Sequence, residues 1–400
     1  MKKIFYIKSL LFLLLAVAIV GCVEPYALKT NTFEEALVIE ATITNEFKKQ
    51  EVKISKTYRF EENGPTFEAD AIVFVTDNNG NQYEFEEQSG MYVSTSEFQA
   101  IPGRQYQLNI TTSDGRTYTS KTEALTTVNQ IESVNAAAET IDGVTGVQIT
   151  VNNFDPTNSS KYYRYEYEET SKVTAPKWKP FKAVVMPENA EIDHPFIELV
   201  PRETEALTCY SLAKSNTLML TSTNLQSEDR VTDFPVRFIS TADYTIAERY
   251  SILVKQYVQN LESYTFYKTL SEISGSGSIL SQNQPGFFYG NIRSVDNPSE
   301  KVIGFFDVAS VSTKRIFFNF HDIFPGAQYP PYFDECTEYE FVYCFDPAPA
   351  ACDGTRLNGL VTSNSLIYSL HNGIIYTYIK PICGDCSSFS SNVRPTFWID

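Results

Sequence analysis

The chain has 400 residues, with 32 Lys and Arg against 49 Asp and Glu, for a formal charge of −17. A chain this acidic does not bind nucleic acid by neutralising phosphates, and anionic lipid head groups repel it. Its 42% hydrophobic and 14% aromatic content excludes a disordered polymer, and its length points to two or three domains.

The first predicted element is a leader. Lys2, Lys3 and Lys8 give a positive start, and Leu10 to Val20 is a nearly unbroken apolar run. The run is too short for a membrane span, which needs roughly 20 apolar residues, and it fits the core of a signal peptide. It ends in Ile19-Val20-Gly21-Cys22, the pattern of a bacterial lipobox, in which the small residue admits the peptidase and the thiol takes the acyl group. Residues 1–21 are therefore read as a lipoprotein signal peptide and Cys22 as the lipid-attachment residue. Several acyl chains bury many CH₂ groups at about 0.8 kcal/mol each, which makes the lipid itself the contact with the membrane. Cleavage removes three lysines and no acid, leaving 29 basic against 49 acidic residues.

Residues 22–30 read as a tether, after which the period becomes two. Leu37–Ile43, Glu51–Lys56, Ala71–Thr76, Gln82–Glu86, Met91–Val93, Gln105–Thr111 and Arg116–Ser120 are predicted strands. Asp77-Asn78-Asn79-Gly80 supplies a hairpin turn; its glycine stands fourth, not sixth, so a calcium loop is not the reading. Seven short strands with turns about every ten residues predict an immunoglobulin-like β-sandwich over residues 31–127. A junction at 128–134 follows, then a larger β-rich domain over 135–400.

In that second domain Tyr163, Tyr165 and Tyr167 share one face of a strand, with Arg164, Glu166 and Glu168 on the other. Such a row is expected to pack on a core; exposed, it would be a ligand platform. Further strands are expected at 218–221, 235–239, 250–257, 286–292, 302–308 and 315–320. One helix is predicted from an Asn260 cap to about Ile273, with Leu261, Tyr264, Tyr267 and Leu270 at helical spacing.

Residues 321–400 read as a Cys-rich tail with too little core to stand alone. Beyond Cys22, the six cysteines Cys209, Cys336, Cys344, Cys352, Cys383 and Cys386 are disulfide candidates, since an even count in an exported chain reads as bridges. Six allow 15 pairings; a bridge from Cys209 to the tail is the preferred feature. Cys383-x-x-Cys386 as a thioredoxin-like pair lacks a following helix, and a Cys₄ zinc site with Cys344 and Cys352 disagrees with an oxidising compartment.

Enzyme motifs are missing: there is no G-x-S-x-G, Walker A loop, G-x-G-x-x-G or H-E-x-x-H. His194, His321 and His371 are read as structural. The chain is therefore expected to be a non-enzyme with no catalytic residue, no metal and no cofactor.

The landmarks together resemble a Bacteroidota lipoprotein family called domain-of-unknown-function 4249. They are the lipobox and strand-rich first domain, Tyr162-Tyr163-Arg164-Tyr165-Glu166, Cys209-Tyr210, Arg249-Tyr250-Ser251, Gly290-Asn291-Ile292, Asn297-Pro298 before Val302-Ile303-Gly304-Phe305-Phe306, Cys383-Gly384-Asp385-Cys386-Ser387 and Arg394-Pro395-Thr396-Phe397-Trp398. The resemblance implies an outer-membrane lipoprotein acting as an accessory or interaction protein of a transport assembly with a TonB-dependent receptor. It brings no catalytic residues, and it leaves open whether the body faces the periplasm or the cell surface. A glycan- or peptide-binding adhesin is the alternative.

Overall fold

The computed structural model describes residues 36–58, 64–275, 289–345 and 352–400; the leader, Cys22 and the tether lie outside them. The fold is mainly β. The first strands are β1 (Leu37–Thr44), β2 (Glu51–Lys56), β3 (Thr66–Phe67), β4 (Ile72–Asp77), β5 (Gln82–Gln88), β6 (Met91–Ser94), β7 (Gln105–Thr111), β8 (Thr117–Ser120) and β9 (Glu123–Ala124). Alternation decides which side chains go inside: Leu37, Ile39, Ala41 and Ile43 of β1 are buried while Glu40 between them is exposed. The Asp77 carboxylate organises the β4–β5 turn, accepting from the backbone of Asn79 (2.9 Å) and Asn81 (3.0 Å) and from Arg104 (2.8 Å).

The chain continues through β10 (Ile131–Ile141), β11 (Val144–Asp155), β12 (Tyr162–Thr174), β13 (Phe181–Met186), β14 (Phe196–Pro201), β15 (Thr208–Lys214), β16 (Met219–Ser222), β17 (Asp229–Ser240) and β18 (Arg249–Gln259). Helix α1 (Leu261–Gly275) follows, then β19 (Ile292–Ser294) and the 18-residue β20 (Val302–Asn319). The tail holds β21 (Tyr339–Val342), helix α2 (Gly354–Thr362), β22 (Ile367–Asn372) and β23 (Ile375–Ile379).

One strand joins the expected sandwich over 31–127 to the larger β-rich body over 135–400. The first half of β20 pairs in parallel with β1, from Leu37 opposite Val302 to Thr44 opposite Ala309. Its second half pairs antiparallel with β18, from Val258 opposite Ser310 to Arg249 opposite Asn319. One sheet therefore runs unbroken from β15 through β12, β18, β20 and β1 into β2, β6, β5, β4, β7, β8 and β19. The first core takes Ile292, Val302, Phe306 and Val308 from these later segments.

The far end of that sheet curls back to β20. The Asn291 amide donates to the Phe306 carbonyl (2.8 Å), and its oxygen accepts from the Phe306 amide (2.7 Å), so a side chain completes a backbone ladder. Gly290 and Gly304 make this approach possible: a Cβ on Gly290 would overlap the Gly304 carbonyl, and one on Gly304 would overlap that of Ile39. Two motifs noted in the sequence thus meet in space.

In the second module β12 and β18 of the long sheet face the small sheet β10–β11–β17. Tyr163 and Tyr165 are fully buried between them with Val147, Ile149, Ile252 and Val254, and Tyr167 is half-buried. The tyrosine row is therefore core. Its hydroxyls are satisfied inside: Tyr163 donates to Asp229 (2.8 Å) and Tyr165 to Gln256 (3.1 Å).

The tail builds a third, smaller core by borrowing the hairpin β13–β14, whose Ile197 packs with Phe341, Leu357 and Tyr378. Helix α2 in this module adds to the single helix expected from the sequence.

Candidate functional site

Cys22 lies outside the described residues. The six other cysteines form three bridges: Cys209 to Cys386, Cys336 to Cys383 and Cys344 to Cys352, with Cα separations of 5.7, 5.5 and 5.1 Å. The first ties β15 to the chain end, where Ala175, Trp178 and Phe389 surround it. The second and third lie within the tail. Cys383 and Cys386 go to different partners, so they are neither a redox pair nor half of a thiolate cage with Cys344 and Cys352. Asp334 stands beside Cys336 and Cys383, but both sulfurs there are bridged.

The three histidines bind locally. His194 meets Asp193 (3.0 Å) and stacks near Phe345, His321 reaches the Ala327 carbonyl (3.0 Å), and His371 meets the Tyr368 hydroxyl (2.9 Å).

The polar face of β12 leads to a more developed site. Arg164, Glu166 and Glu168 point away from the tyrosine core to the outer face of the long sheet. There a cleft of about 1100 Å³ opens where the first and second modules join. Its floor is the β1–β20 seam, with Val38, Glu40 and Thr42 beside Ile303 and Phe305. One wall is helix α1, through Phe266, Tyr267 and Leu270; others are Lys255 and Tyr257 of β18 and the turn after Lys214.

Sequence sets α1 in place. Asn260 caps it by accepting from the Ser263 amide (2.8 Å). The buried face is shifted from the one expected: Ser263 and Phe266 are buried, whereas Leu261 is exposed and Tyr264 only half-buried. Phe266 packs on Phe305 with ring centroids 5.5 Å apart, and Tyr264 on Tyr162 at 4.9 Å.

Arg164 lies at the inner end of the cleft, almost entirely buried. Its guanidinium sits over the rings of Tyr257 (4.2 Å) and Tyr267 (4.8 Å) and pairs with Glu166. Burial works against its charge, but Tyr267, Glu166 and Tyr257 more than offset this and hold its pKa above the usual value. Beneath α1, Asp307 is fully buried; burial raises its pKa, while Arg164 and hydrogen bonds from Ser263 and Gln259 pull the other way. Among the described residues, Arg164 Nε, Asp307 Oδ1 and Gln259 Oε1 have no hydrogen-bond partner.

Opposite charges alternate along the cleft. Lys255 bonds Glu168 (2.7 Å), which holds that carboxyl below its usual range despite burial, and Lys53 meets Glu40 (3.2 Å). Both pairs are partly exposed, so each contributes little stability, at most about 1 kcal/mol. Lys214 lies opposite Glu168 on β15, and its charge also helps hold the Glu168 carboxyl down.

Sequence reading found Arg164, Glu166 and Glu168 as one face, but it missed the cleft. A signal for part of it was present: Asp307 interrupts an otherwise apolar strand, Val302 to Val308.

No curated protein matches the chain. A family model does, that of a domain of unknown function, DUF4249, over residues 23–315. The match takes in both large modules and ends inside β20, so it contains the β1–β20 seam, α1 and every residue of the cleft. The chain belongs to the DUF4249 family.

Proposed function

We propose that this protein is a non-enzymatic cell-envelope lipoprotein, held to the outer membrane by lipid on Cys22, and that it serves as an interaction partner in a TonB-dependent transport assembly. The observation that carries the reading is the order of its N-terminus: three lysines, eleven apolar residues and Ile-Val-Gly-Cys. No helix among the described residues is long and apolar enough to cross a membrane. In this reading the lipid makes the attachment, and the acidic body stands off anionic head groups. The strand linking the modules supports the same role, since it fixes the two cleft walls on one sheet.

The alternative of a glycan- or peptide-binding adhesin rested on exposed tyrosine-rich strands, and its glycan form is the one the structure disfavours. Tyr163 and Tyr165 are buried, and Arg164 covers faces of Tyr257 and Tyr267, so the rings a sugar would stack on are in use.

Affinity purification of the intact lipoprotein from detergent-solubilised outer membrane, followed by mass spectrometry, tests the partner. A TonB-dependent receptor is expected in near-stoichiometric amount. Recovery of the lipoprotein alone, at low salt and mild detergent, contradicts the assembly role.

A further inference from the structure

We propose that the cavity between the β13–β14 hairpin and the tail module binds a small carboxylic acid, with its carboxylate held by Arg202 and Tyr378. The site is separate from the cleft and depends on neither the lipid nor the partner.

The cavity has a volume of about 280 Å³. That is near the lower end for ligand sites, roughly 300 Å³, so it takes one small molecule. Lys182 of β13 and Arg202, Glu203 and Thr204 after β14 line one side, and Tyr378 of β23 and Asp385 line the other.

Arg202 selects the ligand. Its side chain is largely buried, and its Nη1 donates to Asp385 Oδ2 (2.7 Å). The Nε and Nη2 edge of the guanidinium is left with no partner among the described residues. Those two N–H groups point the same way and match the two oxygens of a carboxylate. Tyr378 supplies a further donor. It is fully buried, and its hydroxyl also has no partner among the described residues. Burial, with Tyr376, Tyr343 and Tyr368 nearby, raises its pKa, so the hydroxyl keeps its proton. A buried donor without an acceptor is costly and rare in native folds, and here two residues with such donors line one cavity.

The Cys383-Gly384-Asp385-Cys386 loop holds this arrangement. Cys383 is bridged to Cys336 and Cys386 to Cys209, so Asp385 is pinned from both sides. The Lys177 amide donates to the Cys383 carbonyl (2.9 Å), and the Cys386 amide to that of Ala206 (3.0 Å). Gly384 lets the loop pack closely, since a Cβ there would meet Ile367 and Ile379 at 2.9 Å. Asp385 Oδ1 accepts from the Ser387 amide (3.0 Å), and Oδ2 takes Arg202. The guanidinium is thus oriented before a ligand arrives, which lowers the ordering cost of binding.

Net charge does not select the ligand, because Glu203 and Asp385 balance Lys182 and Arg202. A balanced wall accepts a monoanion or a zwitterion and disfavours a dianion such as phosphate.

Isothermal titration calorimetry on the lipoprotein purified in detergent, with its disulfides intact, tests the site. The probes are L-serine, D-glycerate as an acid without the ammonium group, L-serinamide as the carboxylate-free control, and inorganic phosphate. At least one of the two acids is expected to bind at least about tenfold tighter than the amide and phosphate. Tighter binding of serine marks an amino-acid ligand, and tighter binding of glycerate a simple organic acid. Arg202→Lys, which keeps the charge but not the fork, is expected to cost about tenfold in affinity for that acid. Tyr378→Phe is expected to cost about tenfold as well, while the melting temperature stays the same or rises, because the lost hydroxyl had no partner. No binding of either acid up to about 10 mM, amide or phosphate binding as tightly as the acids, or full affinity in both variants overturns the proposal and leaves the interaction reading standing.

Discussion

A fragment comprising residues 31–127 is expected not to fold. It holds seven strands longer than two residues and most of one core, yet it lacks the neighbour of β1. Without β20, the backbone of Leu37 to Thr44 becomes an open edge. The core also loses Ile292, Val302, Phe306 and Val308, all essentially buried. At about 1.5–3 kcal/mol for each buried side chain, four of them contribute roughly 6–12 kcal/mol. A whole domain retains only about 5–15 kcal/mol. The Asn291 clasp on Phe306 is lost as well. Circular dichroism of the fragment should therefore show little cooperative β-structure, and limited proteolysis should degrade it. A fusion joining 289–309 to 36–127 through a flexible linker is expected to recover a sigmoidal melt. A cooperative transition in the bare fragment would show that the later segments are decoration.

Reduction is expected to loosen the tail while both large modules stay folded. The Cys209–Cys386 bridge closes a span of 177 residues, and Cys336–Cys383 one of 47. By loop-closure entropy these restrict the unfolded chain by about 5 and 4 kcal/mol. The tail core is small, with Ile197, Phe341, Leu357 and Tyr378 as its buried centre. The large modules contain no bridge within their own cores. Cys209→Ser with Cys386→Ser is accordingly expected to destabilise residues 321–400 by several kcal/mol and to expose Trp398, which is buried against Tyr210 and Phe317. Hydrogen exchange that rises in the tail and remains slow in β4, β7, β11 and β18 is the expected readout. The native protein should also be three disulfides lighter than its reduced form by six hydrogens, and should take up no alkylating reagent before reduction. Uptake of reagent after chelation, with stoichiometric zinc, would mean metal-bound thiolates.

Local pattern carried the strands and the core faces into the sequence, and long-range pairing did not. The alternation in Leu37–Ile43 and in the tyrosine strand states which side is buried, because the period of two is a local property. Nothing local states that Leu37 pairs with Val302. The run from Val302 to Asn319 reads as two strands because the small residues Ala309, Ser310 and Ser312 lie between its aromatic ends. In the structure those small residues are buried where the strand passes from one module to the other. The helix was legible from its cap, but its face was read one position away. Leu261 and Tyr264 are apolar enough to fit the pattern, whereas the sheet below selects Ser263 and Phe266 by contact with Gln259 and Phe305. The cleft is a product of that seam, so it was invisible before the seam was known.

The proposed role begins with the lipid, and metabolic palmitate labelling tests it most directly. Cells producing the wild-type chain should yield a labelled protein that sediments with outer membrane and begins at Cys22. In Cys22→Ala the label should vanish, leaving a soluble product or an unprocessed precursor. Label that persists in Cys22→Ala, or a wild-type protein that carries none and floats free of membrane, would contradict the account.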